Sequence, residues 1–116
     1  MTGWLRICRS DELEEGAQGV RFAIGPGGES AFAIRSKGGP RAFLNRCSHV
    51  PIELDWPEAV FFDDDARFIQ CATHGAMYDP GTGACVGGPC AGRGLVALQC
   101  NESDGTVWAR QQESLE

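Results

Sequence analysis

Cys71-Ala72-Thr73-His74-Gly75-Ala76-Met77-Tyr78-Asp79-Pro80, taken with Cys47-Ser48-His49 earlier in the chain, decides how this sequence is read. Each stretch sets one cysteine and one histidine a few residues apart in loop-forming sequence. Together they use both histidines of the protein and two of its six cysteines. Two such pairs brought together make a four-ligand metal set. Thiolate is a soft donor and imidazole a borderline one, which suits iron or zinc.

The segments around these loops read as short strands. Residues 4–8, 20–24, 30–35, 41–46, 67–70, 95–100 and 106–110 are apolar or alternating runs. The run 41–46 delivers Cys47 at its end, and 67–70 delivers Cys71. Gly25-Pro26-Gly27-Gly28 and Lys37-Gly38-Gly39-Pro40 turn the chain, and residues 101–105 close a final hairpin. Asp79-Pro80-Gly81-Thr82 suits a type II turn, with proline second and glycine third. The acidic run from Asp11 to Glu15 is cut short by Gly16 and Gly19 and reads as a solvated loop. The glycines at 25–28 lack the lysine of a phosphate-binding loop. Many short strands at regular spacing imply an all-β fold, a small antiparallel barrel or sandwich.

Composition narrows the function. A chain of 116 residues makes one domain with a real core. Its net charge of −6 argues against nucleic acid and favours a partner with a basic docking face. The absence of an apolar run of about 18 residues argues against a membrane span. The first ten residues lack a basic start and an apolar stretch, so a cytoplasmic location is expected. In that reducing setting, cysteines read as metal ligands plus thiols. Cys8 and Cys100, in apolar strands, are expected to be buried structural thiols. Cys85 and Cys90 bracket a Gly-Gly-Pro loop; a disulfide or extra ligation is the alternative, and thiols are the expectation. Trp4, Trp56 and Trp108 are expected to be packing residues.

The pattern C-x-H followed by C-x-x-H, with 21 residues between His49 and Cys71, resembles the Rieske [2Fe–2S] family. The sequence from His74 to Pro80 is similar to that family's second cluster loop. Gly87-Gly88-Pro89 is similar to its proline-bearing cover. The likeness spans roughly residues 41–100. It implies one [2Fe–2S] cluster per chain, with Cys47 and Cys71 on the inner iron and His49 and His74 on the outer. It also implies one Rieske-like domain over 1–116, with a cluster-binding subdomain of two hairpin loops at about 45–92. The base would be 1–44 plus 93–111. The same Cys2His2 set also suits a structural zinc site.

Departures refine the resemblance. The interloop disulfide of cytochrome-complex members is missing, because Ile52 and Thr73 occupy the matching positions. Ala76 replaces a serine that donates to a bridging sulfide, whereas Tyr78 matches a tyrosine that donates to a ligand thiolate. The soluble ferredoxins of bacterial ring-hydroxylating oxygenases are more similar. They imply one-electron transfer between a reductase and an oxygenase or other oxidoreductase, with no catalytic residues, no nucleic acid and no membrane. Val50, Pro51, Ile52, Ala76 and Met77 would form the apolar rim at which a partner docks. A small Rieske subunit of a larger oxidoreductase, as in nitrite reductases, is the other role the likeness allows.

Overall fold

A computed structural model describes residues 4–46, 54, 61–62, 67–71, 75–88 and 94–111. Among these residues the fold is all-β. The strands are β1 (Leu5–Arg9), β2 (Val20–Ile24), β3 (Glu29–Ser36), β4 (Gly39–Leu44), β5 (Ile69–Gln70), β6 (Met77–Tyr78), β7 (Cys85–Gly87), β8 (Ala97–Ser103) and β9 (Thr106–Arg110). Six of them form one antiparallel sheet in the order β1-β9-β8-β4-β3-β2, and three form a small sheet in the order β5-β6-β7. A 3-10 turn at Ser10–Glu12 follows β1.

The central strands explain how one chain supports two layers. Side chains alternate across a strand. Phe32, Ile34 and Phe43 therefore project to one face, where they meet Leu54, Phe61, Ile69, Cys71, Ala76 and Tyr78 of the small layer. Ala31, Ala33, Ala42 and Leu44 project to the other, where they meet Cys8, Leu13, Leu98, Val107 and Ala109. Both faces are covered, so β3 is apolar at consecutive positions from Ala31 to Ile34, all fully buried. Phe61 stacks on Phe32 with ring centroids 3.9 Å apart and ties the small layer to the large sheet.

Two hairpins turn on two residues each. Lys37 and Gly38 have φ of 55° and 79°, and Asp104 and Gly105 have φ of 53° and 76°. Positive φ at both central positions matches the right-handed twist of the flanking strands. The left-handed conformation is costly for lysine. The Glu15 carboxylate offsets this by accepting the N–H groups of Lys37 and Gly38 at 2.6 and 2.9 Å. The expected turn at 37–40 is thus only Lys37-Gly38, since Gly39 and Pro40 already belong to β4. Likewise Leu95 and Val96 precede β8 rather than opening it.

Arg35 closes the same end of the sheet. Its guanidinium grips Glu102 in a bidentate pair at 3.1 and 2.7 Å and donates to the carbonyls of Leu13 and Ser10. The Arg35 hydrogen bond holds the Glu102 carboxyl down at about 2. The acidic run is exposed as expected apart from Leu13, which is buried, and the Glu15 backbone forms a parallel β-bridge with Arg35. Trp4 packs under the Arg110 guanidinium at 4.6 Å, and Trp108 is half-buried. Trp56 lies outside the described residues.

Candidate metal centre

The two ligand loops leave the fold where strands end, and each is pinned at its base. Among the four expected ligands, Cys71 is described, and Cys47, His49 and His74 lie outside the described residues. Cys71 follows β5 directly, is 1% exposed, and carries its sulfur outside any disulfide. Its N–H donates to the Ala76 carbonyl at 2.8 Å, and its own carbonyl accepts the Gly75 N–H at 3.0 Å. The loop of the C-x-x-H motif is thus clamped by backbone bonds at both ends. Gly75 takes φ of +75° to make the return, a conformation that glycine adopts without steric cost.

The base of the first loop is held by Asn45, which sequence reasoning missed. Asn45 is 3% exposed at the end of β4. Its N–H donates to the Ser30 carbonyl at 2.9 Å. Its side-chain Oδ1 accepts the N–H of Leu54, nine positions later, at 2.8 Å. Leu54 is fully buried beside Phe61 and Cys71, so this amide has no access to water. The two ends of the segment containing Cys47 and His49 are therefore clasped inside the core. The sequence signal is slight: a polar residue ending an otherwise apolar strand two positions before Cys47.

The cover segment comes from β7. Gly88 has φ of +78°, and a Cβ there would stand 2.8 Å from the Gly75 carbonyl oxygen and 3.0 Å from the Ala76 Cα. Only a glycine permits this approach of the cover to the second loop. A Cβ at Gly75 would meet nothing within 4 Å, and one at Gly87 only the Met77 Cβ at 4.0 Å, so the close approach is made by Gly88. Pro89 lies outside the described residues.

Between β6 and β7 the chain makes a different turn from the one expected. Gly81 does not have the positive φ that a type II turn requires; Gly83 does, at +83°. The Asp79 carboxylate accepts the Gly81 N–H at 2.7 Å, and its carbonyl accepts the Gly83 N–H at 2.7 Å. The turn closes one residue later than a four-residue turn would, and the left-handed residue moves two places on, to Gly83. Gly83 sits against the Phe43 ring, where a Cβ would come within 2.8 Å of Cε1.

The remaining cysteines divide. Burial pushes the Cys8 thiol upward and the Cys100 thiol up to about 11, so both stay protonated and serve as packing groups. Cys85 corrects an expectation: it is disulfide-bonded, not a thiol. It opens β7 opposite Tyr78 and packs against the core that holds Cys71, a non-local approach that sequence spacing cannot reveal. Ala76 is fully buried in that core, so it does not lie on the expected exposed rim, and Tyr78 is fully buried there too. Met77 is half-buried, and Val50, Pro51 and Ile52 lie outside the described residues.

These features fit an iron–sulfur cluster. A buried cysteine outside any disulfide supplies a soft ligand, and Gly88 brings backbone close to the loop that carries it.

Comparison with known proteins agrees. A family model described as the Rieske [2Fe-2S] domain matches residues 3–109. No curated protein matches by sequence. Among solved structures, the terminal oxygenase of carbazole 1,9a-dioxygenase from Nocardioides aromaticivorans IC177 superposes with a TM-score of 0.79 at 21% identity. That match covers 97% of this chain and 31% of the oxygenase. The terminal oxygenase from Novosphingobium sp. KA1 gives 0.79 at 22% identity, over 97% and 31% of the two chains. This chain therefore spans about a third of those oxygenases. A chain from the complex of reduced oxygenase and oxidized ferredoxin in carbazole 1,9a-dioxygenase gives 0.77 at 22% identity, and there 97% of both chains is covered.

Proposed function

The chain belongs to the Rieske [2Fe-2S] domain family and thereby holds one Rieske-type cluster, and on that premise we propose that it is a soluble one-electron carrier of the ferredoxin kind. Cys47 and Cys71 hold one iron, and His49 and His74 the other. When bound, the cluster supplies a reversible one-electron centre of higher potential than all-cysteine clusters, because neutral imidazoles replace two anionic thiolates. The chain's own work is to bury Cys71, clasp both ligand loops and keep water from the thiolate side. Partners are protein redox partners: a reductase on one side and an oxygenase or other oxidoreductase on the other. Cytoplasmic location belongs to the same reading; no helix among the described residues is long and apolar enough to cross a membrane.

One observation favours the carrier over the oxygenase: the likeness to a chain of an oxygenase–ferredoxin complex covers 97% of both chains. Both histidines of these 116 residues are assigned to the cluster, so this domain does not itself carry the two-histidine site of a mononuclear oxygenase iron.

Metal and acid-labile sulfide analysis, with an EPR spectrum of the dithionite-reduced protein, tests it. Two irons and two sulfides per chain, lost in Cys47→Ser and Cys71→Ser, are expected. A colourless protein with one zinc and no sulfide overturns it. Reversible reduction of the isolated chain is expected of a carrier. Constant copurification with a large subunit would favour a subunit role.

A further inference from the structure

A cleft at the other end of β6 from the Cys71 loop holds a cation that the cluster does not use. Its walls are residues 40–43 of β4, Ala97 and Cys100 of β8, and Gly81 of the turn between β6 and β7. Along β4, Arg41 lies four residues before Asn45, about 13 Å of strand away from the base of the first ligand loop.

The strand pairing explains why a cleft forms there. β4 and β8 pair at Ala42–Leu98 and Phe43–Ala97. Beyond those pairs Arg41 lies opposite Ile34 of β3, and β8 from Gln99 onward pairs with β9. The two strands part at Arg41, and Gly81 closes the fork from the small layer. Among the described residues, Arg41 is the one charged side chain on these walls. Its Nε is buried and has no hydrogen-bond partner. A buried donor without an acceptor is costly, and a ligand oxygen removes that cost. Acids of adjoining segments are engaged elsewhere: the Asp79 carboxylate accepts the Gly81 N–H, and Arg35 holds Glu102. The Cys100 thiol, pushed up to about 11 by burial, stays protonated and adds no negative charge to the cleft.

We propose that this cleft is a binding site for a small hydrophilic monocarboxylate, which Arg41 holds in a bidentate pair. The carboxylate lies along the guanidinium edge, giving Nε one acceptor and a terminal nitrogen the other. Volume sets the size of the ligand. At about 190 Å³ the cleft is smaller than the roughly 300–1,000 Å³ of drug-sized ligand sites, so it suits an acid of a few heavy atoms and excludes a nucleotide. Charge sets the class. One guanidinium neutralises one carboxylate, whereas a phosphate dianion keeps an uncompensated charge in a chain of net charge −6. The other side chains on the walls are apolar or thiol, so a hydroxyl on the ligand meets backbone groups at the fork.

The test titrates the full chain with its cluster in a calorimeter at constant ionic strength, with lactate as the probe and inorganic phosphate as the comparison. One lactate per chain is expected, with phosphate weaker. Arg41→Gln is expected to weaken lactate binding at least about tenfold. Arg9→Gln, which changes an exposed arginine outside the cleft, is expected to leave binding unchanged. In wild type, saturating lactate is expected to slow hydrogen exchange in peptides containing Gly81–Gly83 and Ala97–Cys100. If Arg41→Gln does not fold, Ala97→Leu decides, because it narrows the cleft and keeps Arg41; loss of binding is expected. Absence of lactate binding in wild type, unchanged exchange at the two segments, or phosphate binding tighter than lactate overturns the proposal. So does an affinity unaltered by Arg41→Gln or Ala97→Leu, or a loss in Arg9→Gln equal to that in Arg41→Gln.

Discussion

Replacing Asn45 with leucine removes the acceptor that clasps the first ligand loop while keeping a side chain of similar size. The Leu54 N–H, which donates to Asn45 Oδ1 at 2.8 Å, then has no partner there. Leu54 is 0% exposed, so water cannot take the place of the lost oxygen. An unsatisfied buried donor costs about 1–3 kcal/mol. The Asn45 N–H bond to Ser30 is made by backbone and survives the change. The penalty therefore falls on keeping the loop closed rather than on the β3–β4 pairing. At 1.4 kcal/mol per decade, it multiplies the population of the open loop by about 5–150. Iron release to a chelator under native conditions reads that population when opening precedes loss. Asn45→Leu is expected to release iron at least about fivefold faster than wild type. Equal release rates in the two proteins would refute the clasp as the element that holds this loop.

Other substitutions probe neighbouring parts of the argument. Gly88→Ala places a Cβ 2.8 Å from the Gly75 carbonyl oxygen at φ of +78°, and is expected to destabilise the holoprotein by about 2 kcal/mol or more. Gly87→Ala meets nothing closer than 4.0 Å and is expected to be much milder in the same melting experiment. For redox tuning, Ala76→Ser adds a donor beside the cluster loop and is expected to raise the potential, while Tyr78→Phe lowers it. A differential hydrogen bond of about 1 kcal/mol corresponds to roughly 40 mV for one electron, and voltammetry that shows no response to either change would remove both residues from the tuning set. Finally, Glu102 has a carboxyl lowered from 4.5 to about 2 by Arg35. A depressed folded value stabilises above the unfolded one and is lost as pH falls through the folded one. Wild type should thus lose this contribution between about pH 4.5 and 2, and Glu102→Gln should lack that part of the acid sensitivity in urea titrations. At neutral pH the variant is expected to be less stable by about 1 kcal/mol, a value reduced for partial exposure of the pair.

Local chemistry was legible in the sequence. The spacing of Cys47, His49, Cys71 and His74 pointed to the family, because a metal's donor set is written in residue types. The strands Val20–Ile24 and Thr106–Arg110 fell where apolar runs between glycines put them. Period-two alternation, however, says only that a strand has two faces. That both faces of β3 and β4 are roofed, one by the layer carrying Cys71 and the other by Leu13, Val107 and Ala109, depends on segments distant in sequence. Pro80-Gly81 suggested a type II turn, yet the chain closes one residue later, with the Asp79 carboxylate accepting the Gly81 N–H and the left-handed position at Gly83. The strands β6 and β7 are too short to announce themselves and form by pairing in the small sheet, β6 with β5 on one side and β7 on the other. Cys85 looked like a thiol because compartment was the only guide to its state, whereas its bonding is set by which sulfur the fold brings near it. Residue types fixed what the site is made of; only three-dimensional contacts, such as Asn45 on Leu54 and Gly88 on Gly75, decided how its loops are held.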